Sequence, residues 1–156
     1  MAILVFVLAG CGGGSSATRS QERAAAAQWA GGLRHWGSGM SRAINGISVL
    51  FSEPAAVRGI QAGDRRVEEE LARYERTLAT CSAQVKRLGT PPPALVLSER
   101  EALHACKSLE RAAALVRRGV SDVQQGLGFD VLNGTDEPLS AGEDGVRRAQ
   151  LDLVQG

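Results

Sequence analysis

Two stripes of apolar side chains on either side of a proline run constrain this chain more than any other feature. Val67, Leu71, Tyr74, Leu78, Cys81, Val85 and Leu88 alternate spacings of four and three residues. Ala102, Cys106, Leu109, Ala113, Val116, Val120, Val123 and Leu127 do the same. At 3.6 residues per turn each set falls on one helix face, so each predicts an amphipathic helix with a buried seam. Between them lies Gly89-Thr90-Pro91-Pro92-Pro93-Ala94, a helix-ending glycine followed by residues that cannot continue the helix. Ser98-Glu99-Arg100-Glu101 then has the form of a capping box and predicts the start of the second helix. So short a connection makes the two helices antiparallel neighbours. Cys81 lies seven residues before Leu88 and Cys106 eight after Ser98, which puts both cysteines at one height in the seam.

Further signals complete an all-α chain. Ala, Leu and Arg, all good helix formers, are with Gly the four commonest residues, β-branched residues are sparse, and only six residues are aromatic. From Ser20 to about Leu50 a stripe of Trp29, Leu33, Trp36, Met40, Ala43, Ile47 and Leu50 predicts a first helix. Gly31, Gly32, Gly37, Gly39 and Gly46 interrupt it, at about 1 kcal/mol each relative to Ala, so packing must compensate or the helix breaks. Ala25, Gly32, Gly39 and Gly46 recur every seven residues, a column of small side chains along which a neighbouring helix can approach closely. Ser52-Glu53-Pro54 opens a short segment to about Gln61, and Gly63-Asp64 restarts the chain. Residues 54–88 are compatible with one kinked helix or with separate pieces. Gly126 to Pro138 reads as a loop containing an Asn133-Gly134 turn, and Ser140-Ala141-Gly142-Glu143 as a second capping box. It opens a last helix, with Val146, Ala149 and Leu153 inward. The simplest architecture is an antiparallel up-down four-helix bundle.

The first eleven residues read MAILVFVLAGC, followed by Gly-Gly-Gly-Ser-Ser. The apolar run Ala2 to Ala9 has eight residues, against the roughly 20 a membrane-crossing helix needs. Leu8-Ala9-Gly10-Cys11 resembles the lipobox of bacterial lipoproteins: Leu, two small residues and the cysteine. The resemblance implies that residues 1–10 are a cleaved signal peptide and that Cys11 becomes the N-terminus, carrying diacylglycerol and anchoring the chain at the extracytoplasmic face of the bacterial cell envelope. Signal peptides ordinarily begin with basic residues; here only the Met1 amine is available, which predicts a start codon upstream. Residues 11–18 then form the lipidated cysteine and a flexible tether, and 19–156 the helical domain. That domain resembles small secreted helical-bundle lipoproteins in pattern, with no diagnostic motif.

With Cys11 assigned to lipid, the remaining cysteines form a pair. An oxidising compartment permits a Cys81–Cys106 disulfide, which would stabilise by about 3 kcal/mol in the chain-entropy model. Two buried free thiols are the alternative; the C-x-x-C of a thiol oxidoreductase is absent, and a zinc site would need more ligands in the seam.

A search for chemistry yields little. The heptad frame turns His35 and His104 outward, and Glu101-Ala102-Leu103-His104 occurs once, whereas a bundle metal centre needs a second copy and two further inward Glu. Phosphate-loop, HExxH and G-x-S-x-G motifs are missing. The formal charge of +1 does not match a nucleic-acid binder. Charge is uneven, however: residues 19–66 carry seven basic and three acidic groups, residues 119–156 two and seven. These observations predict a non-enzymatic, lipid-anchored interaction or accessory protein without metal or cofactor beyond the acyl group, its partners the membrane and an envelope protein. The alternative is a ligand-binding or sensing bundle whose pocket is lined by Trp29, Trp36 and Met40.

Overall fold

The structure, a computed structural model, describes residues 14–128 and 130–155. It is all-helical: 88% of the described residues are helical and none of them forms a strand. The helices are α1 (Gly14–Ser52), α2 (Pro54–Ala62), α3 (Arg65–Ala79), α4 (Cys81–Lys86), α5 (Val96–Gln124), α6 (Asp130–Asn133) and α7 (Asp136–Gln155), with a 3₁₀ turn at Pro93–Leu95 before α5. The expected signal peptide, residues 1–10, and Cys11 lie outside the described residues. Residues 14–18, expected as tether, are instead the first turn of α1. Once the Ala24–Ala27 run is helical, each residue added in front of it costs little, because propagation is far cheaper than nucleation.

The segment 54–88 is in pieces, and each break has a local cause. Pro54 sits at the start of α2, where its missing N–H is no loss. Gly63 ends α2 at φ 67°, a left-handed conformation that glycine adopts without strain. Asp64 then caps α3, its carboxylate accepting from the Arg66 backbone N–H at 2.9 Å. At Thr80 the chain bends again, the hydroxyl donating to the Arg76 carbonyl at 2.9 Å, and α4 begins at Cys81.

The other helix starts depart from the sequence reading. α5 begins at Val96, so Ser98 is not its cap but lies in its first turn, buried, its hydroxyl without a partner. The 3₁₀ turn is responsible: Leu95 is buried and its N–H bonds to the Pro92 carbonyl at 2.8 Å, starting the helix two residues early. α7 begins at Asp136, not at Ser140, and α6 occupies part of the expected loop. Pro138 falls in the first turn of α7, where proline is tolerated. Leu127, expected in the seam, is exposed, because α5 ends at Gln124 and Gly126 turns the chain at φ 75°.

Leu33, Met40, Ile47, Ile60, Leu78, Val85, Leu109, Val116 and Val146 form the most deeply buried part of the core. Close backbone approach fills the space that large side chains would take elsewhere. The five glycines of α1 do not break it, and two of the expected small column explain why: Gly32 receives Leu88 and Gly46 receives the ring of Tyr74. Gly39, in the same column, has nothing within 4 Å. An equally close approach joins α5 to α7, where a Cβ on Gly145 would stand 2.7 Å from the Ala105 Cβ and one on Gly142 would overlap Leu109.

Candidate functional site

The cysteine seam is the most constrained site in the molecule. Cys81, opening α4, and Cys106, about one third of the way along α5, form a disulfide with a Cα–Cα separation of 5.2 Å. Both are fully buried. Beside them, the Glu110 carboxylate accepts from the Ser82 backbone N–H at 2.9 Å, so a side chain of α5 satisfies an amide that α4 leaves open. Two turns away, Glu75 of α3, buried, pairs with Arg117 of α5, whose side chain is largely exposed. Three bonds of different chemistry thus hold α3 and α4 on α5 where the chain bends at Thr80. Sealed from solvent, the disulfide offers no sulfur to an attacking thiolate, so in this arrangement it acts as a staple.

The residues expected to line a pocket lie along one face of α1. Trp36 and Met40 are packed into the core. The indole N–H of Trp36 is buried without a partner. Trp29 donates its indole N–H to the Gly89 carbonyl at 3.2 Å, tying α1 to the loop after α4. Trp29 also forms one wall of an open groove of about 420 Å³, with Gly32, Arg87, Leu88 and Pro92. The structure therefore does not bring the three side chains together around one space.

A second groove, about 800 Å³, runs between α1 and α3 past Arg42, Glu53, Glu70, Arg73 and Tyr74. Its polar groups are largely engaged with one another. Tyr74 donates its hydroxyl to Glu70 at 3.0 Å, while Arg73 lies 3.6 Å from the same carboxylate and 5.4 Å from the tyrosine ring centroid. A third groove, about 620 Å³, separates the start of α1 at Arg19, Glu22 and Arg23 from Pro91–Ala94.

No group of His, Cys, Asp and Glu among the described residues is arranged to hold a metal ion. His35 and His104 are exposed, and Glu101 pairs with Arg148 of α7 at 3.3 Å. No described helix is long and apolar enough to cross a membrane. Comparison with known proteins finds no matching family model, curated protein or solved structure.

The cysteine pair was legible in the sequence from its heptad positions. Glu75, Arg117 and Glu110 were not singled out. The one available signal was Glu75 beside the apolar stripe between Leu71 and Leu78, a carboxylate too close to the seam to stay fully solvated.

Proposed function

We propose that this chain is a lipid-anchored, extracytoplasmic accessory protein of a bacterial cell envelope, acting by interaction and not by catalysis. The observation that carries the reading is Leu8-Ala9-Gly10-Cys11, a lipobox match in all four positions. The Cys81–Cys106 disulfide supports it, since such bonds persist in oxidising compartments and are rare in the cytosol. So does the start of α1 at Gly14, three residues after Cys11, which keeps the folded body close to its anchor. In this reading α1, the α2–α4 chain, α5 and α7 are the four arms of an antiparallel bundle, stapled once, that holds an interaction surface at a fixed height above the bilayer.

Detergent phase partition of native-host membranes, after metabolic labelling with a fatty acid, tests the anchor. The protein should enter the detergent phase carrying label, and the label should vanish in Cys11→Ser. Recovery of the unlabelled wild-type chain in the aqueous phase would overturn the reading. Crosslinking in the intact envelope then asks for the partner: one recurrent protein neighbour is expected, and none at all would argue against an interaction role.

A further inference from the structure

Charge is sorted along the length of the molecule, whereas exposed apolar side chains occur at both ends: Val96, Leu97 and Leu151 at one, Val49 and Leu127 at the other. At the end where α1 begins, Arg19, Arg23, Lys86, Arg87 and Arg100 are exposed and make no ion pair among the described residues. Glu22, Glu99 and Asp152 are the acidic groups nearby. The same end carries the exposed Pro93 together with Val96 and Leu97, which are 39% and 61% exposed. Val96, Leu97 and Arg100 are spaced four and three residues apart on the first turns of α5, so apolar and basic groups share one outward face.

Two structural facts fix this end relative to Cys11. Trp29 bonds to Gly89, and the groove between Arg19, Arg23 and Pro91–Ala94 has walls from both segments, so the proline loop stands beside the first turns of α1. From Cys11 to Gly14 the chain can span at most about 11 Å, and Arg19 lies about 7.5 Å further along the helix. Arg19 therefore sits within about 18 Å of the lipidated residue, and Trp29, which bonds to Gly89, about 15 Å further along α1. The opposite end is acidic: Glu53, Asp64, Glu68, Asp122, Asp130, Asp136 and Glu137 stand there against Arg58, Arg65 and Arg66. Along α5 alone, Asp122 is about 39 Å from Val96.

We propose that this basic, apolar-tipped end is a membrane-docking surface that settles on anionic phospholipid headgroups, with the acidic end turned outward. The inference rests on the lipid-anchor reading, because the acyl chains deliver this end to the bilayer. The sign of the field does the orienting: an anionic surface attracts Arg19, Arg23 and Arg100 and repels the far end, and the effect fades beyond a Debye length of roughly 8 Å. Leu97 and Pro93 then meet the headgroup layer.

The test uses the full chain purified from host membranes, with an environment-sensitive fluorophore on Leu97→Cys or, as the far-end control, on Leu127→Cys. Each is reconstituted into phosphatidylcholine vesicles with or without phosphatidylglycerol, with a quencher carried at headgroup depth. Position 97 should be quenched and position 127 not, with strong quenching at 97 only when phosphatidylglycerol is present. Each of Arg19→Gln, Arg23→Gln and Arg100→Gln should lower the docked-to-undocked ratio about fivefold, and high salt should do the same. Equal quenching at 97 and 127, or quenching at 97 indifferent to phosphatidylglycerol, would overturn the proposal. So would protection of position 97 in native envelopes but not on vesicles, which would assign the surface to a protein. Mass spectrometry of the same samples keeps the two ideas apart: an unmodified Cys11 refutes the anchor, whereas a lipidated Cys11 with an unquenched position 97 refutes only the docking.

Discussion

Replacing both seam cysteines, Cys81→Ala with Cys106→Ala, tests the energetic reading of the fold at its most constrained point. The bridge spans a sequence separation of 25. In the chain-entropy model, releasing a loop of that size from the denatured chain costs about 3.5 kcal/mol of stability. Both residues are fully buried, so each truncation also removes packing, at about 1 kcal/mol per site. The sum, about 5 kcal/mol, is a large fraction of the 5–15 kcal/mol typical of a domain. For a chain of this length it corresponds to a fall in Tm of about 15 °C. Urea titration followed by circular dichroism reads the loss, and the m-value reads its origin. If the bridge acts on the denatured chain, m should rise in the variant, because the uncrosslinked chain exposes more surface on unfolding. A loss below about 1 kcal/mol with unchanged m would refute the staple.

Substitutions at four further positions probe the packing by the same titration. Gly145→Ala should destabilise by about 1–3 kcal/mol, since its Cβ would stand 2.7 Å from the Ala105 Cβ, whereas Gly39→Ala, with nothing within 4 Å, should stabilise by up to about 1 kcal/mol. Equal effects would mean that α5 and α7 do not pack on that glycine. Glu110→Ala should cost about 1–2 kcal/mol by exposing the Ser82 amide, and Glu110→Gln should recover part of it. Ser98→Ala should be neutral or stabilising by up to about 1 kcal/mol, because its buried hydroxyl has no partner; a loss of that size would show that Ser98 caps α5 after all.

The seam was legible because periodicity and a tight connection are both local properties. Cys81 and Cys106 needed only the heptad spacing and the Gly89–Ala94 break to be set opposite each other. Gly63-Asp64 was legible as the point where the chain restarts, and the structure makes it a left-handed stop followed by a cap. The helix starts at Ser98 and Ser140 were misplaced because a capping box is judged on four residues, while the burial of Leu95 just before α5 and of Thr135 just before α7 are tertiary facts. Leu127 continued the stripe in sequence but lies past the turn at Gly126, so a period alone could not tell where the helix stops. Glu75–Arg117 and Ser82–Glu110 were illegible for a related reason: spacing tells which face a residue occupies, not which residue of another helix stands opposite. The glycines of α7 show the same gap, since Gly142 and Gly145 acquire meaning only from Leu109 and Ala105 across the interface.

Mass spectrometry of the N-terminal peptide, on protein taken from native membranes, tests the central claim most directly. The account predicts a peptide that begins at Cys11 and carries a diacylglyceryl thioether, with nothing of residues 1–10 attached. A peptide running through Met1 to an unmodified Cys11 thiol would contradict it.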